Sequence, residues 1–204
     1  MTEFGGIRDV RGDLYGLNYM SEKMDAYQQS WMYWQFKYYQ DLTTSTPVGE
    51  ALYNNDGTVV QDKLLVLSRT YPMAVAGNII AYSFYAEAPR LPNDHDINRR
   101  NGHFELTYQP WLSAASADLT SRTTEIYYNS ELYYPYGVHV SFDISESNQP
   151  YVPVVNANIE VICHSESMIL VVHTDKPTYS TSAEVKVTLT PCLEEHKGTY
   201  LCTC

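Results

Sequence analysis

The residues of this chain that could do chemistry are a glutamate close to the first residue and two tryptophans further along. Glu3 lies in the tetrapeptide Thr-Glu-Phe-Gly at residues 2–5, and Trp31 and Trp34 lie in the aromatic segment at residues 30–36. A retaining sugar hydrolase needs a carboxylate at the end of one strand to attack the anomeric carbon. It also needs an aromatic plane on a neighbouring strand, against which the pyranose ring can lie. The pairing therefore favours hydrolysis of glycosidic bonds.

Two helical patterns flank the aromatic segment and must position these residues. Asp13 can cap a helix whose apolar stripe recurs at spacings of three and four: Leu14, Leu17, Met20, Met24 and Tyr27. The strand at residues 30–36 is apolar on both faces, which is typical of a parallel strand covered on both sides. A second helical stripe runs from Val60 to Tyr71, and Pro72 ends it.

Strand, helix, strand and helix in this order predict two βα units, the kind that close a (β/α)8 TIM barrel, with Glu3 at the carboxyl end of the first strand. A complete barrel has eight strands and takes roughly 250 residues, so residues 1–72 are predicted to be the terminal part of an incomplete barrel domain. Two parallel strands with open edges should not fold alone. The missing barrel half is therefore an expected partner, contributed by a parent enzyme.

Residues 73–192 predict a second domain built from short strands, an antiparallel β-sandwich. Alternation places Phe104, Leu106 and Tyr108 on one face of a strand, with polar residues on the other. The candidate strands are residues 79–87, 104–109, 123–128, 137–143, 159–163, 168–173 and 184–189. Surface loops are expected at residues 88–94 and 143–150, whereas the cysteine-containing tail, residues 193–204, has no strong pattern.

Composition excludes several classes of partner. The chain has 204 residues and a formal net charge of −11, which argues against nucleic acid or an anionic membrane and suits a neutral ligand such as a sugar. No run of roughly 20 apolar residues predicts a transmembrane segment, and Met1 does not begin a secretory signal peptide. The scattered histidines and the cysteine spacing predict no metal site, and no cofactor is expected.

The tyrosines and cysteines leave two questions open. Nineteen tyrosines are far above a usual share. Most are expected to fill β-strands, since aromatic side chains suit pleated surfaces, and the rest to contact ligand. Four cysteines, an even number, are compatible with two disulfides, whose pairing the sequence leaves undecided: Cys163, Cys192, Cys202 and Cys204.

Several segments in this order resemble the carboxyl-terminal part of glycoside hydrolase family 5, most closely its endoglycoceramidase-like branch with an appended β-sandwich. The segments are residues 2–5, 30–35, 71–77, 104–106, 124–127 and 134–135. The resemblance implies that Glu3 is the catalytic nucleophile and that Trp34, with Trp31 second, is the platform for the sugar ring. In this family the general acid/base stands in an Asn-Glu dipeptide, and no such dipeptide occurs in this chain.

The resemblance implies an O-glycosyl hydrolase whose parent enzyme cleaves the sugar–ceramide link of a glycosphingolipid, or another β-glucoside, in a secreted or lysosomal location. Without its acid/base, the chain alone is expected to be inactive. The alternative is a non-catalytic sandwich module that packs against a barrel or holds glycan or lipid on exposed aromatic residues. Its support is the tyrosine-rich segment at residues 127–136.

The loop at residues 38–58, after the strand at residues 30–36, falls where barrel enzymes build their ligand surfaces. Its residues Asp41, Tyr53, Asn54 and Asn55 could hydrogen-bond sugar hydroxyls, or the polar tetrapeptide Asn-Asn-Asp-Gly at residues 54–57 could simply form a turn.

Overall fold

A computed structural model describes residues 3–8, 10–38, 50–88, 101–111, 123–146, 150–153, 159–164, 169–174 and 183–197. The chain forms two compact units. The first unit comprises Met1–Arg69 and Tyr85–Asn101, and the second unit comprises Thr70–Phe84 and Gly102–Cys204. Among the described residues, no helix combines the length and the apolar character that a bilayer crossing demands.

The first unit contains the predicted order of strand, helix, strand and helix. The elements are β1 (Glu3–Gly5), α1 (Arg11–Ala26), β2 (Met32–Trp34) and α2 (Gln61–Leu67). Strands β1 and β2 pair in parallel, with Glu3 opposite Met32 and Gly5 opposite Trp34. A parallel pair joined through a helix is a βαβ unit, whereas closure into a barrel stays a prediction.

Helix α1 packs its apolar stripe into a small core. Leu17 and Met24 are buried there together with Phe4 of β1 and Val66 of α2. The sequence-based prediction that Asp13 caps this helix is wrong, because α1 begins at Arg11 after Val10. The Asp13 carboxylate accepts hydrogen bonds from the Arg8 backbone N–H at 3.1 Å and from Arg8 Nε at 2.8 Å. An acidic side chain in the first turn still complements the helix dipole.

The second helix is shorter than its apolar periodicity predicts. It ends at Leu67, and Tyr71 and Pro72 belong instead to strand β3 (Tyr71–Ala74). These two residues pair with Tyr127 and Ile126 of β6 (Thr123–Tyr127). Pairing with a distant strand therefore overrides a local helical pattern.

The second unit is built from antiparallel strands, as predicted. Beyond β3 and β6 these are β4 (Gly77–Phe84), β5 (Phe104–Pro110), β7 (Val138–Glu146), β8 (Val152–Pro153), β9 (Ile159–His164), β10 (Ile169–Thr174) and β11 (Ala183–Pro191). In the described residues they form a four-stranded sheet in the order β3-β6-β10-β9 and a five-stranded sheet in the order β4-β5-β11-β7-β8. Every predicted strand is present, whereas β3 and β8 were not predicted.

Burial alternates along β5 and β11 of the five-stranded sheet and along β6 of the four-stranded sheet. Phe104, Leu106 and Tyr108 of β5 are buried, and Val185, Val187 and Leu189 of β11 face the same way. In the other sheet, Thr124 and Ile126 of β6 are buried. These three strands therefore each have one buried face, which is the pattern expected in a two-sheet sandwich.

Most tyrosines of the segment at residues 127–136 belong to the core of the second unit. Tyr128, Tyr133 and Tyr134 are buried. The Tyr134 hydroxyl donates to the carbonyl oxygen of Gly102 at 2.8 Å, and burial raises its pKa above the ordinary value. These residues support the strand-filling interpretation of the tyrosines.

Two of the four cysteines lie among the described residues. Cys163 in β9 and Cys192 after β11 are both disulfide-bonded. Cys202 and Cys204 fall outside the described residues, so the pairing stays open. The described part of the tail, residues 193–197, contains a short 3-10 helix at Glu194–His196.

A buried ion pair joins Asp25, near the end of α1, to Arg69, the residue after which the chain first leaves the first unit. Arg69 Nε and Nη2 both donate to Asp25 Oδ2, at 2.8 Å and 2.5 Å, and both side chains are buried.

Asp25→Ala should lower the free energy of unfolding by about 3–5 kcal/mol, because it leaves a guanidinium in the interior without its carboxylate. Urea denaturation measures this. Arg8→Gln, which breaks the exposed Arg8–Asp13 pair, is the control and should change little; equal losses in both variants would contradict the assignment.

Gly5 lies so close to β2 that a side chain cannot be added. A Cβ atom at position 5 would overlap the carbonyl oxygen of Trp34. Gly5→Ala should therefore push the two strands apart and destabilise the first unit by about 1–3 kcal/mol, as overpacking does.

The control for Gly5→Ala is Gly16→Ala in α1, where the added methyl group meets no atom within 4 Å. It should stabilise the helix by about 0.5–1 kcal/mol, since alanine loses less backbone entropy than glycine. Denaturation curves of the two variants should shift in opposite directions, and a neutral Gly5→Ala would show that the strand pair tolerates a wider spacing.

Candidate active site

The candidate nucleophile, Glu3, occupies a defined backbone position. It is the first residue of β1 and is registered with Met32, two positions before the pairing of Gly5 with Trp34. The carboxyl ends of parallel strands meet at the same edge of a sheet. Trp34 ends β2 at this edge, whereas Glu3 is the first described residue of β1 and lies at its amino end, so the prediction that Glu3 stands at the carboxyl end of its strand is wrong for the described residues. The two positions lie on adjacent strands, two register positions apart, and the Glu3 side chain lies outside what the structure describes.

Trp34 is an exposed aromatic residue at the end of β2. Its side chain is 44% exposed, and those of Met32 and Phe36 are 64% and 69% exposed. The peptide bond between Trp34 and Gln35 is cis. The exposures of Met32, Trp34 and Phe36 show that the prediction of a strand covered on both faces is wrong for the described residues. One side of β2 packs on the core, and the other carries these exposed apolar side chains.

Trp31 and Tyr33 lie on the packed side of β2. The Trp31 ring contacts Phe4 edge-on with 5.5 Å between centroids, and Tyr33 contacts the same ring at 5.8 Å. Both side chains are partly buried against the core of the first unit. Of the two tryptophans, Trp34 has an exposed side chain, whereas Trp31 packs against the core of the first unit.

The chain after Trp34 is held by a short backbone ladder. Leu52 N donates to the carbonyl of Gln35 and Tyr53 N to the carbonyl of Phe36, both at 2.9 Å. The Phe36 and Tyr53 rings lie 4.9 Å apart. Residues 50–53 therefore return alongside the residues that follow the candidate platform.

Two side chains hold the start of this returning segment. The Tyr33 hydroxyl donates to the carbonyl oxygen of Glu50 at 2.6 Å, and Lys63 Nζ donates to the carbonyl oxygen of Ala51 at 3.3 Å. Burial, with a smaller effect from the Glu50 charge, raises the pKa of Tyr33 to about 12. Tyr33 therefore remains a hydrogen-bond donor across the physiological pH range.

The predicted ligand loop turns where the polar tetrapeptide begins. Asn54 N donates to the Thr58 carbonyl at 2.8 Å, Thr58 N donates to Asp56 Oδ1 at 2.9 Å, and Gly57 has a positive φ of 84°. Asn54 and Asn55 thus form a turn, which was the simpler of the two interpretations. Asp41 lies outside the described residues.

Sequence reasoning missed Lys63 and Gly5. Lys63 is completely buried, although a lysine is usually assigned to a solvated helix face. One signal was available, because Lys63 follows Val60 by three positions and precedes Val66 by three, so it lies within the apolar stripe of α2. Among the described residues, no cluster of three or more His, Cys, Asp or Glu side chains is arranged to hold a metal ion.

Known proteins of similar sequence agree with the resemblance drawn from the motifs. An endoglycoceramidase from Cyanea nozakii is 28% identical over 145 residues, which are 69% of this chain and 25% of the relative. Two solved structures of endo-glycoceramidase II from Rhodococcus sp., a lactosyl–enzyme intermediate and a complex with a five-membered iminocyclitol, superpose with a TM-score of 0.57 at 22% identity. Each superposition covers 95% of this chain and 33% of the solved chain, so the likeness shows the fold.

The chain thus spans between a quarter and a third of the length of these relatives. The sequence model of the glycoside hydrolase family 5 C-terminal domain matches residues 69–187, which is more than half of the chain and takes in β3 to most of β11. This protein therefore belongs to the family of glycoside hydrolase family 5 C-terminal domains.

Proposed function

We propose that this chain is the carboxyl-terminal part of a retaining glycoside hydrolase of the endoglycoceramidase type, which cleaves the bond between a sugar and ceramide. The observation that supports this best is the parallel register of β1 and β2. Gly5 pairs with the exposed Trp34, and Glu3 lies two positions before Gly5. Family membership and the named activity of the similar proteins support the class of reaction.

Glu3 acts in this proposal as the nucleophile. Its carboxylate attacks the anomeric carbon and forms a covalent glycosyl–enzyme, which water then hydrolyses with retention of configuration. One of the similar solved structures is of a lactosyl–enzyme intermediate, the kind of species that such an attack produces.

Trp34 provides the platform for the sugar ring. An indole plane offers a large apolar surface against the C–H groups of a pyranose, and Trp34 keeps enough exposure to do so. Trp31 is assigned to packing, because its ring lies against Phe4.

The general acid/base must come from residues that the 204-residue chain does not supply. No Asn-Glu dipeptide occurs in the sequence, so the counterpart of the family's acid is absent from it. Protonation of the leaving group contributes typically about 10²–10⁴-fold to such a reaction. The chain by itself is therefore proposed to be inactive, with the missing barrel half completing the sugar pocket.

The parent enzyme is proposed to work in an oxidising compartment, secreted or lysosomal. Both cysteines among the described residues are disulfide-bonded, and such bonds persist mainly outside the cytosol.

A second candidate function is a glycan- or lipid-binding sandwich without catalysis. Its original support is weakened, because Tyr128, Tyr133 and Tyr134 fill the core. The observation that still favours it is Trp111, which is exposed and whose Nε1 donates to Asn78 Oδ1 at 3.1 Å. A tryptophan held in this way presents a fixed aromatic surface. Binding of a glycan array by the chain, abolished by Trp111→Ala and retained by Trp34→Ala, would favour this function.

The 204-residue chain should release no ceramide from a fluorescent glycosphingolipid, because it lacks a group to protonate the leaving oxygen. Chromatographic detection of labelled ceramide measures this, with a purified endoglycoceramidase as the positive control. Turnover that persists in wild type and disappears in Glu3→Gln would contradict the proposed inactivity while supporting the nucleophile.

Sequencing the transcript upstream of Met1 tests the proposed parent enzyme. We expect an open reading frame that contains an Asn-Glu dipeptide. In its product, Glu3→Gln should abolish both turnover and labelling by a 2-fluoro-lactoside, measured by intact mass, whereas Glu131→Gln, at an exposed turn, should retain both. A stop codon immediately before Met1, or normal labelling of Glu3→Gln, would refute the proposal.

A further inference from the structure

The carbonyl groups of two consecutive residues, Glu50 and Ala51, accept hydrogen bonds from side chains of two different elements. Tyr33 reaches the first from β2 at 2.6 Å, and Lys63 reaches the second from α2 at 3.3 Å. Backbone carbonyls at a bend are more often bonded to water or to other backbone. Two adjacent side-chain donors hold this point of the chain from both sides.

Lys63 is an unusual choice for a purely packing position. Its side chain is fully buried, at 0% exposure, on the stripe of α2 that also carries Val66. Removing an ammonium group from water is unfavourable unless hydrogen bonds and charges compensate, and an apolar residue of similar size would pack there without that cost. The hydrogen bond from Lys63 Nζ to the Ala51 carbonyl offsets part of that cost and ties α2 to this segment.

The segment held by these donors leads directly to the candidate platform. Residues 50 and 51 precede Leu52 and Tyr53, whose N–H groups donate to the carbonyls of Gln35 and Phe36. Those two residues immediately follow Trp34. Fixing Glu50 and Ala51 therefore fixes the ladder that sets the course of the backbone beyond the indole.

Tyr33 acts from the other side of the same strand. It is the neighbour of Trp34, and its ring packs on Phe4 while its hydroxyl holds Glu50. Gly5 meanwhile brings β1 against the Trp34 carbonyl. The backbone of Trp34 is thus restrained before, at and after the residue.

We propose that Tyr33 and Lys63 are positioning residues that set the orientation of the Trp34 indole through the backbone of residues 50–53. This inference rests on the proposed role of Trp34 as the sugar platform. Neither side chain contacts the sugar, and their effect on it passes through Trp34.

The test uses the full chain with Trp31 and Trp111 replaced by Phe, so that Trp34 is the sole tryptophan of the three in the sequence. Tyr33→Phe and Lys63→Met are added separately. Acrylamide quenching of fluorescence reports the exposure of Trp34, and titration with lactose reports sugar binding. Tyr134→Phe is the matched control, since it also removes a hydroxyl bonded to a backbone carbonyl, but in the second unit.

We expect Tyr33→Phe and Lys63→Met to change the quenching constant and the emission maximum of Trp34 and to weaken lactose binding by about 2- to 10-fold, as expected for one net hydrogen bond. Tyr134→Phe should lower stability and leave both signals unchanged. Trp34 signals that are unaffected by Tyr33→Phe and Lys63→Met in folded protein would overturn the inference. If Lys63→Met does not fold by circular dichroism, Tyr33→Phe alone decides.

The two measurements separate this inference from the proposed function. Quenching by acrylamide needs no sugar, so it tests the positioning directly. If lactose leaves the Trp34 fluorescence of the variant with Trp34 alone unchanged while Tyr33→Phe alters acrylamide quenching, the positioning holds and Trp34 does not act as a sugar platform in this chain by itself. If lactose binds and Tyr33→Phe changes nothing, the platform stands and the positioning is refuted.

Discussion

The first unit depends on how closely β1 approaches β2. The two strands are only three residues long each, so few backbone hydrogen bonds hold them, and their pairing relies on the absence of a side chain at Gly5. That approach lets Phe4 reach the edges of Trp31 and Tyr33 and joins the strands to Leu17, Met24 and Val66. Because one side of β2 is committed to this core, its other side is left to carry Trp34. The position of the candidate platform is thus a consequence of which face packs.

Much of the second unit could be predicted because several of its strands alternate between apolar and polar residues. Phe104, Leu106 and Tyr108 give a period of two that no helix shares, and the structure buries them together. Strands β3 and β8 lacked that signal, since each is short and contains a proline, Pro72 or Pro153. Proline is tolerated at sheet edges, and β3 and β8 are both edge strands in the described sheets. The existence of β3 is decided by a partner strand far away in sequence, β6, whereas β8 pairs with the strand that precedes it, β7.

In the candidate site, too, the sequence predicts some features and gives no signal for others. Alternation along residues 31–34 separates the two indoles, and the structure accordingly places Trp31 on the core and leaves Trp34 exposed. The roles of Tyr33 and Lys63 had no comparable signal, because their hydrogen bonds go to backbone carbonyls, which every residue possesses. A contact of that kind depends on where the backbone of residues 50 and 51 lies in the fold. The residue types Glu50 and Ala51 do not predict it.

The two units are interleaved along the chain. The chain passes from the first unit to the second after Arg69, returns after Phe84 and leaves again after Asn101, and Ala88 of the returning stretch packs on the core that contains Phe4. No single peptide bond therefore separates one unit from the other, and after a proteolytic nick at any one of these crossings at least one of the two fragments still carries residues of both units. A gene that exchanged or lost one unit by a single recombination event would also take part of the other with it. Separating the two units cleanly would therefore require more than one break in the chain.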